Sequence, residues 1–178
     1  MGGGKPLQQL RGERLIDRAL RQARGWSEFV AVAVRDPSQV QRLEAELIAD
    51  EPHLFGPLAG LVTGLRHSEM VRRPLLLSIP ADTPFLPGDL LDRLCDVIGD
   101  ANCALASSGG HLHPVCGLWR SSVLDRVPDY ISAGRRSLKG FAEMVGYVAV
   151  KWPVAPADPF FNVNTVEDLA EAERRAAC

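Results

Sequence analysis

Leu75-Leu76-Leu77-Ser78-Ile79-Pro80-Ala81-Asp82-Thr83-Pro84-Phe85-Leu86-Pro87 decides how this chain reads. It begins as a short apolar run between Pro74 and Pro80. A run without polar alternation predicts a fully buried strand of a parallel sheet, covered on both faces. Asp82 follows at once, on a proline-rich turn. In open α/β sheets, ligands bind outside the carboxyl ends of the strands, so Asp82 is a carboxylate placed where chemistry happens. Capping a turn is the competing role for an aspartate in such a position. Pro87-Gly88-Asp89 then opens a helix over residues 89–98, with acids in its first turn where the helix dipole favours them.

Outward from this stretch, strands and helices alternate. Residues 14–24 carry Leu15, Ile16, Ala19, Leu20 and Ala23 at helical spacing. A strand over 28–34 and a turn at 35–38 follow, then a second helix over 39–47 and a very short edge strand over 47–50. A loop over 51–60 leads into a helix through Leu65. After the central stretch come strands at 103–107 and 113–119, joined by a glycine turn, which predicts one antiparallel pairing. Helices over 121–133 and 137–144, a strand over 147–152 and a last helix over 165–176 complete the chain. Thr165 with Asp168 three residues on resembles a capping box, with Asp where Glu or Gln is usual. This alternation predicts an α/β domain with a mostly parallel sheet. At 178 residues the chain reads as one domain, 1–178.

Composition excludes several classes. The net charge of −2 gives no electrostatic case for nucleic acid or a membrane surface. No apolar run reaches the roughly 18 residues of a membrane span, and Met1-Gly2-Gly3-Gly4-Lys5 lacks an apolar signal region. Cys95, Cys103, Cys116 and Cys178 show no C-x-x-C spacing, and four free thiols suit a reducing compartment. The expectation is a cytoplasmic protein.

Five segments look chemical, each on a predicted loop: Gly2-Gly3-Gly4-Lys5, Gly56-Pro57-Leu58-Ala59-Gly60, Ala81-Asp82-Thr83-Pro84, Gly134-Arg135-Arg136-Ser137 and Phe161-Asn162-Val163-Asn164-Thr165. Glycine-rich backbone beside a lysine can cradle phosphates, although a glycine-rich terminus is more often a flexible tail. Arg135-Arg136 reads equally well as a phosphate contact or a solvated helix start. With Asp82, these groups suit a triphosphate and Mg²⁺, a hard ion held by one or two carboxylates plus phosphate and water oxygens. Nucleotidyl transfer needs positioning and charge neutralisation more than a protein nucleophile.

On these motifs, with His113-Pro114-Val115 and the continuation Val166-Glu167-Asp168-Leu169, the whole chain resembles the molybdenum cofactor guanylyltransferases of the nucleotidyltransferase-A superfamily. The resemblance implies a Rossmann-like three-layer sandwich of the nucleotide-diphospho-sugar transferase type. It implies transfer of GMP from GTP to molybdenum-bound molybdopterin, with Mg²⁺ and release of pyrophosphate. Carried over by motif, Lys5 would hold the triphosphate and Asp82 the magnesium. Asp50 stands near the guanine, while Gly56, Gly60, Asn162 and Asn164 match the pterin side and the reacting phosphates. Asn164 would help complete the metal site, and Arg136 matches an arginine near the pterin phosphate. Transient contact with molybdenum-insertion or molybdoenzyme-maturation proteins is compatible with such a role.

Two departures stand out. Relatives carry a strand and Leu-x-Gly-Gly-x-Ser-x-Arg ahead of a Met-Gly-Gly-x-Lys segment, and this chain starts at that Met. It therefore reads as N-terminally truncated relative to the family, with two inner strands left without a partner. Val32 and Val34 stand where relatives often carry asparagine, which opens the choice of base. The rival functions are molybdopterin cytidylyl transfer, or molybdopterin binding without catalysis. His111 and His113 form an H-x-H, but with no third ligand nearby they read as strand and turn residues, and Trp26, Trp119 and Trp152 read as core.

Overall fold

The structure, a computed structural model, describes residues 7–40 and 43–177. A hairpin opens it: β1 (Gln9–Leu10) pairs antiparallel with β2 (Glu13–Arg14). Its two-residue loop is Arg11-Gly12, both with positive φ, as a hairpin matching the twist of its strands requires. Helix α1 (Leu15–Trp26) follows, burying Leu15, Ile16 and Leu20 on one stripe and running one residue past Gly25. The amphipathic spacing predicted this helix.

Strand β3 (Ala31–Val34) pairs in parallel with β4 (Glu46–Ala49), Ala31 opposite Glu46 and Val34 opposite Ala49. Among the described residues, no α-helix forms in the span 39–47 where one was expected. Residues 37–39 make one 3₁₀ turn, started by Pro37 and by the Asp36 carboxylate accepting from Ser38 N–H. Glu46 and Leu47 belong to β4. A nine-residue isolated helix is marginal even with good helix formers, and the parallel ladder to β3 outweighs local propensity here.

Helix α2 (Pro57–Met70) leads to β5 (Leu75–Ser78), the strand of the central stretch. Then come α3 (Leu90–Ile98), β6 (Cys103–Ser108), β7 (His111–Arg120), α4 (Val127–Ser132), α5 (Leu138–Val145), β8 (Tyr147–Trp152) and α6 (Val166–Arg175). The expected helix over 121–133 is split: residues 121–126 are 3₁₀ and only the last part is α4. The main sheet has the order β5-β7-β6-β8. β7 runs antiparallel to β5 and β6, while β6 and β8 are parallel, so β7 is the one reversed strand of the four.

Strand β6 is buried at every residue and feeds two cores. Cys103 and Leu105 face α2, α4 and α5, beside Trp119, Tyr130 and Phe141. Ala104 and Ala106 face α3, beside Leu90, Leu94, Leu118 and Trp152. Helices therefore cover both faces of the sheet, the three-layer α/β arrangement. A third cluster ties Leu10 and Leu15 to Val163 and Ala172. Trp119 and Trp152 are buried as expected, and Trp26 is half-buried.

Strand β5 is not fully buried: all four of its residues are partly exposed. It pairs with β7 on one side and, among the described residues, with no strand on the other. β3 likewise pairs only with β4. Helix α2 underlies both open edges. A Cβ on Gly60 would lie 3.8 Å from Ala33 of β3, and one on Gly64 would come within 3.0 Å of Leu76 of β5. Cys95, Cys103 and Cys116 are free thiols, and burial pushes those of Cys103 and Cys116 up to about 12, which makes them inert.

Candidate functional site

Asp82 stands four residues beyond β5, at the carboxyl end of the main sheet. The loop that carries it is held from two sides. On one side, α1 presents Arg18, Gln22 and Trp26, four residues apart and so on one stripe. Arg18 Nε–H donates to Pro84 O at 3.0 Å, Gln22 Nε2–H to Leu86 O at 2.7 Å and Trp26 Nε1–H to Gly88 O at 3.1 Å. The three donors stand one helical turn plus a fraction apart, about 6 Å of rise each, and meet every second carbonyl of the 84–88 segment. On the other side, Val163 N–H donates to Asp82 O at 2.8 Å, and the Thr83 hydroxyl donates to Asn162 Oδ1.

The loop 160–165 is therefore joined directly to the Asp82 loop. Its far end is fixed by the start of α6. The Thr165 side chain accepts from Asp168 N–H at 3.1 Å, and Asp168 Oδ2 accepts from the N–H groups of Thr165 and Asn164 at 2.8 and 2.9 Å. The capping box read from the sequence is present, with Asp in the third position. With Asn162 Oδ1 occupied by Thr83, its amide N–H₂ is the group left to meet a ligand.

A second half of the site lies at the end of the β3–β4 pair. Asp50 follows β4, and its N–H donates to Val34 O at 2.8 Å. Asp50 Oδ1 and Thr63 Oγ1 are buried without a hydrogen-bond partner. Burial pushes the Asp50 carboxyl above the usual range, offset in part by the Arg35 guanidinium and the neighbouring Thr63 hydroxyl. Gly56 starts α2 with φ +69° and ψ −160°, a conformation that only glycine holds without strain. Gly60 has room for a methyl group in ordinary contact with Ala33.

Two of the sequence-derived residues are not drawn into these halves. Lys5 lies outside the described residues. Arg136 sits on the loop between α4 and α5, where its Nη1–H donates to Ile131 O at 2.7 Å and Arg135 O at 2.6 Å. Those bonds cap the end of α4 rather than reaching Asp82 or Asn162. Sequence reading also missed the donors that fix the Asp82 loop. Thr83 lies inside Ala81-Asp82-Thr83-Pro84, but Arg18 and Gln22 belong to no motif.

Among the described residues, no group of three or more His, Cys, Asp or Glu side chains could hold a metal ion. A lone strand-end carboxylate still fits Mg²⁺, whose remaining ligands are commonly phosphate oxygens and water. Asp82 is a strand-end carboxylate of this kind, and Asn164 stands on the loop bonded to its own.

The profile of the MobA-like NTP transferase domain matches residues 1–145. A molybdenum cofactor guanylyltransferase of Bradyrhizobium sp. (strain ORS 278) is 40% identical over 187 residues, covering 99% of this chain and 87% of that protein. One from Rhodopseudomonas palustris (strain BisB5) is also 40% identical, covering 99% and 88%. The chain belongs to the molybdenum cofactor guanylyltransferase family. A solved structure of molybdopterin-guanine dinucleotide biosynthesis protein A from Archaeoglobus fulgidus superposes with a TM-score of 0.77 at 25% identity, covering 99% of this chain and 92% of that one. A 2-C-methyl-D-erythritol 4-phosphate cytidylyltransferase from Thermus thermophilus shares the fold, with a TM-score of 0.72 at 18% identity, covering 99% of this chain and 96% of that one. The nucleotidyltransferase fold expected from the sequence is the one observed, and this family member is a nucleotidyltransferase.

Proposed function

We propose that the chain transfers GMP from GTP to molybdenum-bound molybdopterin, forming the guanine dinucleotide cofactor and releasing pyrophosphate. The observation that carries this reading is the direct bonding of the Asp82 loop to the Asn162–Asn164 loop at the carboxyl end of the sheet. It sets a metal-type carboxylate beside amide donors suited to a second, phosphate-bearing substrate. The terminal phosphate of molybdopterin attacks the α-phosphorus of GTP, and the bond to pyrophosphate breaks in line. No covalent enzyme intermediate is needed.

In this reading Asp82 holds Mg²⁺, which when bound neutralises the charge developing on the phosphates. Lys5 pairs with the triphosphate. Asp50 takes the guanine edge, its unpartnered Oδ1 being an acceptor in want of N–H donors. Gly56, Gly60, Asn162, Asn164 and Arg136 serve the molybdopterin side. For Arg136 this requires the guanidinium to leave the two carbonyls it now caps. Free thiols and the absence of a membrane-length apolar helix among the described residues support a cytoplasmic setting.

The test is Asp82→Ala. Asp82 lies on a strand-end loop and not in a core cluster, so the variant should fold and keep its melting temperature within a few degrees. Guanylyl transfer should fall by several orders of magnitude. Near-wild-type turnover in saturating Mg²⁺ would remove Asp82 from the reaction. Running the same assay with CTP in place of GTP decides the base.

A further inference from the structure

His113 is built into a relay that the proposed reaction leaves unused. Strand β7 breaks its ladder with β6 beside it. Ala106 is opposite His113, but the preceding residue Leu105 is opposite Gly117. Pro114, Val115 and Cys116 are the extra residues, and Pro114 has no N–H to give to a ladder. Bulges of this kind re-aim side chains and gather beside functional sites. Here the bulge leaves His113 half-buried at the carboxyl end of the sheet.

Three groups fix the imidazole. Its ring stacks on Phe160 with centroids 4.6 Å apart and planes 16° from parallel. Its Nε2 lies 2.7 Å from Ser108 Oγ, and Ser108 Oγ lies 2.9 Å from Asp158 Oδ1. Asp158 Oδ1 also accepts from Phe160 N–H at 3.0 Å. These bonds settle the tautomer. A carboxylate can only accept, so the single hydroxyl proton of Ser108 points to Asp158. Ser108 Oγ must then accept from His113, which places the ring proton on Nε2. Nδ1 is left as a lone-pair acceptor, and no group among the described residues meets it. Burial lowers the affinity of the ring for a second proton, Asp158 opposes that and His111 adds to it, so Nδ1 stays an acceptor at neutral pH.

The relay touches the site through its own chain. Phe160, under the ring, is two residues before Asn162, whose side chain is bonded to Thr83 beside Asp82. Building on the guanylyl-transfer reading, we infer that His113 Nδ1 accepts a hydrogen bond from a ring N–H of the pterin. Ser108 and Asp158 act through it as positioning residues that choose the tautomer.

Two substitutions separate this role from a structural one. His113→Asn keeps an acceptor at the place of Nδ1 and loses the donor to Ser108. His113→Gln keeps a donor at the place of Nε2 and loses the acceptor. The readout is the Kd for molybdopterin itself at pH 8, where a phosphate monoester has lost its second proton and N–H groups are the remaining donors. His113→Gln should bind molybdopterin roughly tenfold more weakly, the size of one lost hydrogen bond, with GTP affinity unchanged. His113→Asn should stay within about threefold of the wild type. The reverse order, or equal affinities for both variants, overturns the inference and leaves His113 a structural residue. The two readings fail separately. Wild-type protein that binds molybdopterin without transferring GMP overturns the guanylyl-transfer reading, and the two variants still decide His113. Wild-type protein that does not bind molybdopterin overturns both.

Discussion

Asp50 shows how one residue can be costly to the fold and useful to the site. Its Oδ1 is buried without a partner, and burial raises its carboxyl above the ordinary value. A raised carboxyl binds its proton more readily in the folded chain than in the unfolded one. Stability is therefore lost as pH rises through the folded value. Asp50→Asn removes a partly buried charge and should raise the melting temperature at pH 7 slightly, by about 1 °C, because solvent screens much of the cost of a carboxyl that is still partly exposed. The gain should vanish below about pH 4, near the ordinary carboxylate value, where both states of the wild type are protonated. If Asp50 meets the guanine, the same variant should bind GTP at least tenfold more weakly, because hydrogen bonds to a charged group are worth about 1.5–3 kcal/mol. Thermal scans across pH, paired with GTP titration, check both arms. Unchanged GTP affinity would take Asp50 out of the nucleotide site.

At the scale of elements, α1 does more than cover the sheet. Its stripe Arg18, Gln22 and Trp26 supplies donors to three alternate carbonyls of the segment after Asp82. Gln22 is partly buried, and its bond to Leu86 O is the shortest of the three. Gln22→Leu keeps the size of the side chain but leaves that carbonyl without its donor, at a cost of about 1–3 kcal/mol. The expected result is a lower urea midpoint together with a reduced kcat, since the loop bearing Asp82 loses one of its anchors. A variant with a lowered midpoint and unchanged kcat would show that the stripe stabilises α1 docking without positioning Asp82. Periodicity alone does not reveal this stripe. Arg18 and Gln22 are polar residues flanking the apolar stripe, with nothing local to set them apart from a solvated face, and only the 84–88 segment laid along them makes them anchors. The Thr165–Asp168 box, by contrast, was legible because both partners lie within one turn. The helix expected over 39–47 failed for the opposite reason: local propensity favoured it, but β3 offered Glu46 to Ala49 a ladder.

Across the whole molecule, β3 and β5 each keep one strand edge without a ladder among the described residues, and α2 packs against both. Leu75, Leu76 and Leu77 bring apolar side chains to the β5 edge with no charge or bulge to blunt it, which is how a strand built to pair on both sides looks. An apolar strand set between β3 and β5 would satisfy both rows of backbone groups, each worth about 1–3 kcal/mol if buried and unpaired. We therefore expect a chain extended upstream by one strand and a glycine-rich turn to melt higher and to bind GTP more tightly than the 178-residue form. Equal melting temperatures and equal affinities for the two lengths would show that the gap needs no strand. The sequence by itself determined most of the alternation of strands and helices, the carboxylate that follows β5, the Gly56 turn and the α6 cap. Each of these depends on residues within a few positions of one another, where spacing and conformational preference act directly. Only the tertiary structure decided that α1 anchors the Asp82 loop, and that Ser108 and Asp158, fifty residues apart, set the tautomer of His113. Those outcomes depend on which distant backbone or side-chain group arrives within hydrogen-bond reach, and no local pattern encodes that arrival.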